Sequence, residues 1–428
     1  MPEVFPRRLT IVNSQIDQLR ALLGAIFPGN QFYAKKLQAV QAPQKIANLN
    51  QFTEKVPFTT KQELTSDQQA NPPYGSNLTF PLERYTRCHQ TSGTAGAPLR
   101  WLDTPESWNW MLASWEQVLR VAGATRADRI FFAFSFGPFL GFWLAFEAAL
   151  RIGCLCLPGG GLNSAARLRA ILDQGTTILC CTPTYAIRLG EVAADEKIDL
   201  TASQVRIILV AGEPGGSIPA TRARIEELWP GARVFDHHGM TETGPVTFEC
   251  PSRPGVLHVL EGAYIAEVID PVTCQAAPNG QVGELVLTTL GRTGSPLLRY
   301  RTGDMVRLAP EGICECGRSE LGLEGGILGR TDDMVIVRGV NVYPSAVEEI
   351  IRGCGGVAEY QVHVGASQSL SELTIQVEAD SNCRDTGALA QELEKAFQSA
   401  LALRVGVTNV PHGTLPRSEM KAKRWVRT

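Results

Sequence analysis

The chain has almost no excess of charge of either sign. Its 40 lysines and arginines are matched by 43 aspartates and glutamates, which gives a formal net charge of -3 and a pI of about 6.1. Such a balance creates no overall positive field that would attract nucleic acid or an acidic membrane, although local basic patches are compatible with it. The expected partners are therefore small molecules, with no nucleic acid and no membrane.

The sequence also lacks an unbroken hydrophobic stretch that could cross a bilayer. Its most apolar region, residues 130–150, is interrupted by Gly137-Pro138 and carries Glu147, so a continuous membrane helix is not expected there. No signal peptide follows Met1, no internal repeat is present, and the 11 cysteines are odd in number and irregularly spaced. These features predict a cytoplasmic protein with free thiols.

The chain does contain enough apolar material for large cores, since 44% of its 428 residues are hydrophobic and 19% are charged. Mostly apolar runs at residues 130–136, 177–181 and 205–210 predict buried strands, and residues 140–152 predict a helix. Such strands favour a parallel sheet covered by helices on both faces. Residues 264–286 read as short strands separated by turns, which predicts an antiparallel meander or barrel.

After about residue 329 the pattern alternates again between strands and helices. Strands are predicted at residues 362–364 and 373–377, and a helix is predicted at residues 386–401. We place a domain boundary here, with residues 1–331 forming an N-terminal domain and residues 332–428 forming a smaller α+β domain.

Residues 88–98 combine two glycines with three hydroxyl side chains. Small residues let backbone N–H groups approach an anion, while Thr91, Ser92 and Thr94 each add a hydroxyl donor. The pattern predicts a phosphate-binding loop. Ordinary turns use the same residue types, so the motif by itself leaves both interpretations open.

Two further motifs place carboxylates near predicted strand ends. In residues 237–244, Thr241 can hold a phosphate and Glu242 a hard cation such as Mg²⁺, while a helix N-cap with an acidic first turn is the alternative. In residues 300–304, Asp304 can accept two hydrogen bonds from a sugar diol, with a plain surface turn as the alternative.

The last two motifs lie in the C-terminal part. A charged connector near residue 330 leads into a hydrophobic hairpin, as expected at a hinge between domains. Residues 415–424 then place Lys421 on a segment bounded by proline, for which a basic tail is the default interpretation.

In this order and at these distances, the five motifs resemble those of the adenylate-forming (AMP-binding) superfamily, and most closely its phenylacetate-CoA ligase branch. The resemblance extends from about residue 74 to the C-terminus. It implies an α/β fold with a large N-terminal domain of doubly wound β/α subdomains plus a small β-barrel, followed by a smaller mobile α+β domain. The implied activity is that of an AMP-forming acid–thiol ligase using ATP, Mg²⁺ and coenzyme A. A carboxylic acid attacks the α-phosphate of ATP, and a thiol then attacks the acyl-adenylate.

The resemblance also implies roles for individual residues. The catalytic residues are Lys421, which bridges the carboxylate and the α-phosphate, Thr241, which contacts the α-phosphate, and Glu242, which binds Mg²⁺. Asp332 is the hinge, and Arg338 and Gly339 lie beside the CoA arm. The implied nucleotide contacts are Thr91, Ser92, Gly93, Thr94, Gly96, Ala211, Gly212, Glu213, Pro214, His238, Asp304 and Arg330.

This chain departs from the family pattern at three positions. Ala97 stands where the phosphate loop commonly has a lysine. His238 replaces an aromatic residue but can still stack on a base. Met420 stands where glycine is common before the catalytic lysine, so Lys423 remains an alternative to Lys421.

The implied acyl pocket is rich in aromatic side chains. Its phenylalanines favour a small aryl or arylacetic acid over a long fatty chain, with ordinary core packing as the alternative. The residues implied to line this pocket are Phe134, Phe136, Phe139, Ala211, His237, Gly239 and Met240.

Cys250, His258, Cys314 and Cys316 form a second constellation. Three thiols and one imidazole from two loops suit a closed, tetrahedral structural Zn²⁺ site. Buried cysteines without a metal are the alternative.

Three functions remain open at this point. The chain is interpreted as an aryl-CoA ligase, with an enzyme that loads the acyl group onto a carrier-protein thiol as the second hypothesis. A nonenzymatic aryl-acid or nucleotide-binding relative is the third. Lys421 and Glu242 argue against the third hypothesis, whereas Ala97 keeps it open. A homodimer is the default assembly.

Overall fold

The computed structural model describes residues 5–27, 29–43, 45–91, 98–337, 340–367, 370–380, 383, 385–417 and 423–427. Several residues named above lie outside the described part of the chain: Ser92, Gly93, Thr94, Gly96, Ala97, Arg338, Gly339, Met420 and Lys421. The chain divides into two compact units. The first unit comprises Met1–Gly161 and Phe235–Gly326, and the second comprises Leu162–Val234 and Ile327–Thr428.

The helices of the first unit precede or alternate with its strands. They are α1 (Arg8–Ile26), α2 (Gln31–Ala39), α3 (Leu49–Lys55), α4 (Lys61–Ala70), α5 (Pro105–Ala122) and α6 (Leu140–Ile152). The bounds of α6 are those predicted from its apolar periodicity. The helix stops where Gly153 adopts the left-handed conformation at φ +92°, which a residue with a side chain enters at a cost.

The strands of the first unit form short ladders. They are β1 (Arg87–Gln90), β2 (Arg100–Asp103), β3 (Arg129–Phe132) and β4 (Leu155–Pro158) before the chain enters the second unit, and β8 (Gly239–Met240), β9 (Gly244–Pro245), β10 (Thr247–Glu249), β11 (Val256–Val259), β12 (Tyr264–Ile269), β13 (Val282–Thr289), β14 (Tyr300–Arg307) and β15 (Gly322–Glu324) after it returns.

Three groups of paired strands organise the first unit. Antiparallel β1 and β2 flank the predicted phosphate loop, with Gln90 opposite Arg100. Parallel β3 and β4 are joined through α6, and β12, β13 and β14 form an antiparallel meander. The βα step and the meander agree with the expectations from sequence, although β3 ends at Phe132, four residues before the predicted end at residue 136.

The second unit combines a β/α portion with an α+β portion. Its β/α elements are β5 (Ile178–Cys181), β6 (Ile207–Val210), α7 (Ser164–Asp173), α8 (Pro183–Asp195) and α9 (Pro219–Leu228), while β7 (Arg233–Asp236) leads back into the first unit. Strands β5 and β6 run parallel and are fully buried, as their aliphatic sequences predict.

The C-terminal elements come after β16 (Gly329–Arg330) and the hairpin of β17 (Val335–Val337) and β18 (Val340–Val342). They are α10 (Pro344–Cys354), β19 (Val357–Ser367), β20 (Leu370–Ala379), α11 (Thr386–Leu401), β21 (Gly406–Asn409) and β22 (Trp425–Arg427). The sheet order is β21-β20-β19-β22, with antiparallel strands in the centre and parallel edges. Leu389, Leu393 and Phe397 lie one turn apart on α11 and enter one core with Val362 and Ile375.

Within the described residues, every helix is too short or too polar to traverse a lipid bilayer.

Candidate active site

The Thr-Glu motif lies on a tight turn between two very short strands. Met240 in β8 pairs with Gly244 in β9, so Thr241, Glu242 and Thr243 form the connection. The helix N-cap interpretation is therefore wrong. Both glycines are required by the backbone, because Gly244 has φ +89° and a Cβ on Gly239 would lie 2.8 Å from the Gly244 carbonyl oxygen.

A buried arginine ties this turn to the phosphate-loop hairpin. Arg292 donates two parallel hydrogen bonds to the Asp103 carboxylate at the end of β2, with Nε–Oδ1 and Nη2–Oδ2 distances of 2.7 Å. Arg292 Nη1 also donates to the carbonyl oxygens of Thr241 and Glu242, each at 2.8 Å. Arg292 and Asp103 are 0% exposed. Such bidentate, charge-assisted bonds fix geometry as well as adding stability.

Glu242 is buried but has a cation beside it. Its Oε1 atom lies 3.6 Å from Nζ of Lys61, the first residue of α4, whose side chain is half exposed. Thr60 and Glu63 cap the start of that helix by reciprocal hydrogen bonds, which fixes its first turn. Lys61 was not among the residues predicted from sequence.

Asp304 lies within β14 and is 4% exposed, so the surface-turn interpretation is wrong. Its Oδ2 atom is 3.0 Å from Nε2 of His238, and the His238 backbone N–H donates to Thr247 Oγ1 at 3.0 Å. Two residues predicted separately as nucleotide contacts therefore touch each other. The histidine that replaces the usual aromatic residue adds a polar contact that a phenyl ring cannot make.

Thr91 closes the base of the phosphate-loop connection. Its backbone N–H donates to the carbonyl oxygen of Leu99, and its Oγ1 accepts from the Leu99 N–H at 3.1 Å. Gln90 N–H donates to the carbonyl oxygen of Pro138 at 2.9 Å. The end of β1 is thus held on one side by the hairpin and on the other by the segment before α6.

The phenylalanines predicted for the acyl pocket belong to an aromatic cluster. The Phe134 and Phe136 ring centroids lie 6.0 Å apart, and Phe136 packs edge-on against Trp143 and Phe146 of α6 at 5.1 and 5.3 Å. Phe139, just before α6, is half-buried. Helix α6 also lies against β8, which contains Gly239 and Met240.

His237 points into the core. It is 4% exposed, its Nδ1 lies 2.7 Å from the Thr247 carbonyl oxygen, and its ring packs on Trp115 at a centroid distance of 4.3 Å. Burial lowers the pKa of His237 to about 3, so the ring is neutral at physiological pH.

The remaining described candidates belong to the second unit. Ala211 follows β6, and its N–H donates to the carbonyl oxygen of Cys181 at the end of β5. Gly212 has φ +96°, and Glu213 Oε1 accepts from the Thr184 N–H at 3.0 Å. This segment, which ends at Pro214, lies at the carboxyl ends of parallel strands, where ligands of open α/β sheets bind.

Arg330 and Asp332, the predicted nucleotide contact and hinge, form an ion pair with an Nε–Oδ1 distance of 3.0 Å. The backbone turns at this point, since the Asp333 and Met334 N–H groups both donate to the Arg330 carbonyl oxygen.

Comparison with known proteins shows the family to which the chain belongs. The AMP-binding enzyme family matches residues 85–291, and the AMP-binding enzyme C-terminal domain matches residues 339–427. A phenylacetate-coenzyme A ligase of Pseudomonas putida is 31% identical over 417 residues, covering 95% of this chain and 92% of that protein. The phenylacetate-coenzyme A ligase of Thermus thermophilus is 30% identical over 426 residues, with 95% and 93% covered. This chain belongs to the phenylacetate-CoA ligase branch of the AMP-forming acid–CoA ligases.

A solved structure extends this relationship to the fold. The crystal structure of 2-hydroxyisobutyryl-CoA ligase in the postadenylation state in complex with R3-HIB-AMP matches with a TM-score of 0.92 and 26% identity, covering 99% of this chain and 90% of that one. The predicted fold class and family are thereby confirmed.

The ligase also brings together the four residues predicted to bind zinc. Their potential ligand atoms all lie within 4.8 Å of one another. Cys250 Sγ is 3.6 Å from Cys314 Sγ, and Cys316 Sγ is 3.4 Å from His258 Nε2. Tetrahedral bonds of about 2.3 Å to sulfur and 2.0 Å to nitrogen imply ligand separations of about 3.5–3.8 Å, so these two pairs have the spacing of zinc ligands.

The arrangement around this cluster also suits a metal. The other ring nitrogen of His258, Nδ1, lies 3.2 Å from the Glu320 carbonyl oxygen, the kind of partner that fixes the ring of a metal-binding histidine. His258 is held in β11 between β10 and β15, opposite Phe248 and Gly322.

Proposed function

We propose that this ligase activates a small aromatic carboxylic acid with ATP and Mg²⁺ and transfers the acyl group to coenzyme A. The observation that carries this proposal is the Arg292 contact, because it holds the Thr241–Glu242 turn and the phosphate-loop hairpin in one place. The name of the relative phenylacetate-coenzyme A ligase supports an aromatic acid, and this name together with that of 2-hydroxyisobutyryl-CoA ligase supports coenzyme A as the acyl acceptor.

In the adenylation step, the Thr241 hydroxyl contacts the α-phosphate, and Glu242 holds Mg²⁺. A buried carboxylate next to the phosphate-binding elements is a suitable donor, since Mg²⁺ prefers carboxylate and phosphate oxygens together. When bound by Glu242, such an ion would neutralise phosphate charge. Asp304 accepts hydrogen bonds from the ribose hydroxyls, with His238 holding its carboxylate in place.

Lys61 takes part in the same step. Its ammonium group lies next to Glu242 and is half exposed, so it can reach a phosphate group while the Glu242 carboxylate keeps it close. It thereby supplies a positive charge in a chain whose phosphate loop has Ala97 in place of the usual lysine.

Substrate choice follows from the cluster around Phe136. Edge-on aromatic packing between residue 134 and α6, beside Gly239 and Met240, makes a compact apolar wall. A flat aryl ring complements such a wall better than a long flexible chain.

The family resemblance assigns the remaining roles in the reaction. Lys421 bridges the acid and the α-phosphate, and the segment from Ala211 to Pro214 lies along the adenine. After adenylation the C-terminal domain turns about Asp332, so that Arg338 and Gly339 take the place of Lys421 for thioester formation. The domain boundary at residues 331/332, the homodimer and the cytoplasmic location also stay predictions.

Pyrophosphate exchange tests the proposal most directly. We expect ATP–pyrophosphate exchange with benzoate, phenylacetate or a close analogue, and little exchange with decanoate. Adding CoA should then release an acyl-CoA product, whereas product formation only on a purified carrier protein would favour the carrier-loading alternative. A lack of exchange with every acid would contradict the adenylation step itself.

We also propose that Cys250, His258, Cys314 and Cys316 hold a structural Zn²⁺ ion. The fourfold donor set is complete without substrate, so it leaves no open position for catalysis. Metal analysis of protein purified without chelator should find about one zinc per chain, and the C250S/C316S variant should lose it. The C154S variant is a matched control, because Cys154 is also buried but lies outside the cluster. Wild-type protein that is purified without metal and has the same thermal stability before and after zinc is added would refute this site.

A further inference from the structure

Two buried glutamates face each other on neighbouring strands of the C-terminal sheet. Glu359 of β19 and Glu378 of β20 are register partners, and they are 7% and 0% exposed. Like charges at such positions repel each other, and a buried carboxylate without a cation is costly. The cations that offset them are Arg417 and Arg424, both from the C-terminal segment.

Glu378 binds the chain before residue 418. Its carboxylate accepts hydrogen bonds from the Gly413 N–H at 2.9 Å, from the Leu415 N–H, and from Arg417 Nη2 at 2.7 Å. Although burial raises the pKa of Glu378, these hydrogen bonds lower it below its ordinary value. The contact combines two backbone groups with one side chain, so it fixes both the path and the register of this stretch.

Arg424 holds the chain after residue 422 against the sheet. Its Nε donates to Glu359 at 2.6 Å and its Nη1 to Glu348 of α10 at 3.1 Å, while its guanidinium lies over the Tyr360 ring at 4.8 Å. Its carbonyl oxygen accepts from the Val362 N–H at 2.7 Å. Directly afterwards, β22 pairs in parallel with β19.

We infer that Glu378–Arg417 and Glu359–Arg424–Glu348 are two anchors that position Lys421 for adenylation. The six residues from 418 to 423 join the two anchors, and directly opposed residues of neighbouring strands have Cβ atoms only about 5 Å apart. Both ends of the lysine segment are therefore fixed to adjacent points of one sheet. These are positioning residues, and their role rests on the function proposed above for Lys421.

The physical reason is geometric. A displacement of about 1 Å in a catalytic group can cost about a hundredfold in rate. A long side chain on a six-residue connection reaches a fixed point reproducibly only when both ends of the connection are held. Adenylation needs the lysine at the α-phosphate, whereas the second half-reaction does not use it, so loosening an anchor should affect the two half-reactions unequally.

The experiment compares Arg417→Gln, Arg424→Gln and Glu378→Gln with wild type in both half-reactions. Each variant should slow the adenylation rate at saturating ATP and acid by roughly ten- to hundredfold, and should form thioester from presynthesised acyl-adenylate at a rate within about twofold of wild type. Arg417→Lys, which restores a positive charge, should recover part of the adenylation rate.

Arg352→Lys is the matched control. Arg352 also binds Glu348, at 3.1 Å, but it lies on α10 and touches no residue of the lysine segment in the described contacts. It should lower thermal stability, because lysine cannot keep all of the hydrogen bonds that Arg352 makes, while leaving adenylation within about twofold of wild type. Equal loss of both half-reactions in the anchor variants, or an equal adenylation defect in Arg352→Lys, would overturn the inference.

Lys421→Ala separates this inference from the proposed function. If Lys421→Ala adenylates normally, the assignment of the catalytic lysine is wrong. If Lys421→Ala abolishes adenylation but the three anchor variants keep the wild-type rate, only the anchoring inference fails. Arg417 has a side chain that is 21% exposed, so its variant remains informative should Arg424→Gln fail to fold.

Discussion

The Arg292 network of the first unit and the glutamate anchors of the second both use a buried charged side chain to fix a backbone segment, but the two charges are opposite. In the first unit one arginine gathers a carboxylate and two backbone carbonyl oxygens. In the second, Glu378 gathers a guanidinium and two backbone N–H groups. In both places a buried charge binds the backbone of a segment on which a motif residue sits. The motif residues are thus held by residues that no motif contains.

The two networks differ in how completely they exclude water. The Arg292 and Asp103 side chains are both 0% exposed, whereas the Arg417 side chain retains 21% exposure and that of Arg424 12%. Removing one partner of a fully desolvated pair leaves a bare buried charge, while partial solvent access relieves that cost. The first network should therefore matter more for folding and the second more for one catalytic step.

The largest effect is expected for Arg292→Met, because it leaves Asp103 buried without a partner. The free energy of unfolding should fall by about 3–5 kcal/mol, measured by urea denaturation, and both half-reactions should be lost together. Arg84→Gln is the control. Arg84 and Glu106 form an exposed ion pair at 3.2 Å, and an exposed pair contributes about 0–1 kcal/mol. Similar costs for the two variants would show that the buried network has no special structural role.

A smaller effect is expected in acid, which should destabilise the first unit at a higher pH than the second. Burial lowers the pKa of His89 to about 4 and that of His237 to about 3, from an ordinary 6.5. At a pH between the lowered pKa of each histidine and 6.5, the histidine is protonated in the unfolded chain but not in the folded one. The free energy of unfolding therefore falls as the pH drops below 6.5. Each histidine should cost about 2 kcal/mol by pH 5, at roughly 1.4 kcal/mol per pH unit.

The second unit should respond only in stronger acid. Arg424 and Arg352 outweigh the effect of burial and lower the pKa of Glu348 to about 2, from an ordinary 4.5. Its stabilising contribution is complete above pH 4.5 and is lost as the pH falls towards 2. The free energy of unfolding, measured with urea from pH 7 to 5, should therefore depend less steeply on pH in His89→Leu than in wild type. In Glu348→Gln this dependence should be the same as in wild type. A changed pH dependence in Glu348→Gln together with an unchanged one in His89→Leu would contradict this difference between the units.

The sequence predicted the helices and strands better than the contacts between distant segments. Helices α6 and α11 lie where local apolar periodicity places them, because a packing face repeats every three to four residues. The end of β3 was missed, since the apolar run continues into a loop whose phenylalanines pack as an aromatic cluster.

The site shows the same limit. Thr241, Glu242, Asp304 and the four zinc-type ligands are recognisable because their residue types and spacing carry the chemistry. Arg292 pairs with Asp103 across 189 positions, and no local pattern marks either residue. The contact of His238 with Asp304 was also invisible, because the histidine was interpreted only as a stacking replacement. Pairings between distant segments depend on tertiary packing, which single-sequence patterns do not encode.

The smallest effect is expected at the exposed edge of the first network, at Lys61. Its side chain is 52% exposed and its Nζ lies 3.6 Å from Glu242, so it should add little to folding. In contact with a phosphate, a charge-assisted bond at such an exposed position should contribute about tenfold in affinity. Lys61→Ala should accordingly raise the KM for ATP about tenfold in the exchange assay, with unchanged thermal stability, and Lys61→Arg should recover most of the loss. Lys55→Ala, an exposed lysine at the end of α3, should leave the KM unchanged. An unaltered KM in Lys61→Ala would mean that this lysine only neutralises Glu242, and that the positive charge missing at Ala97 is supplied by another residue.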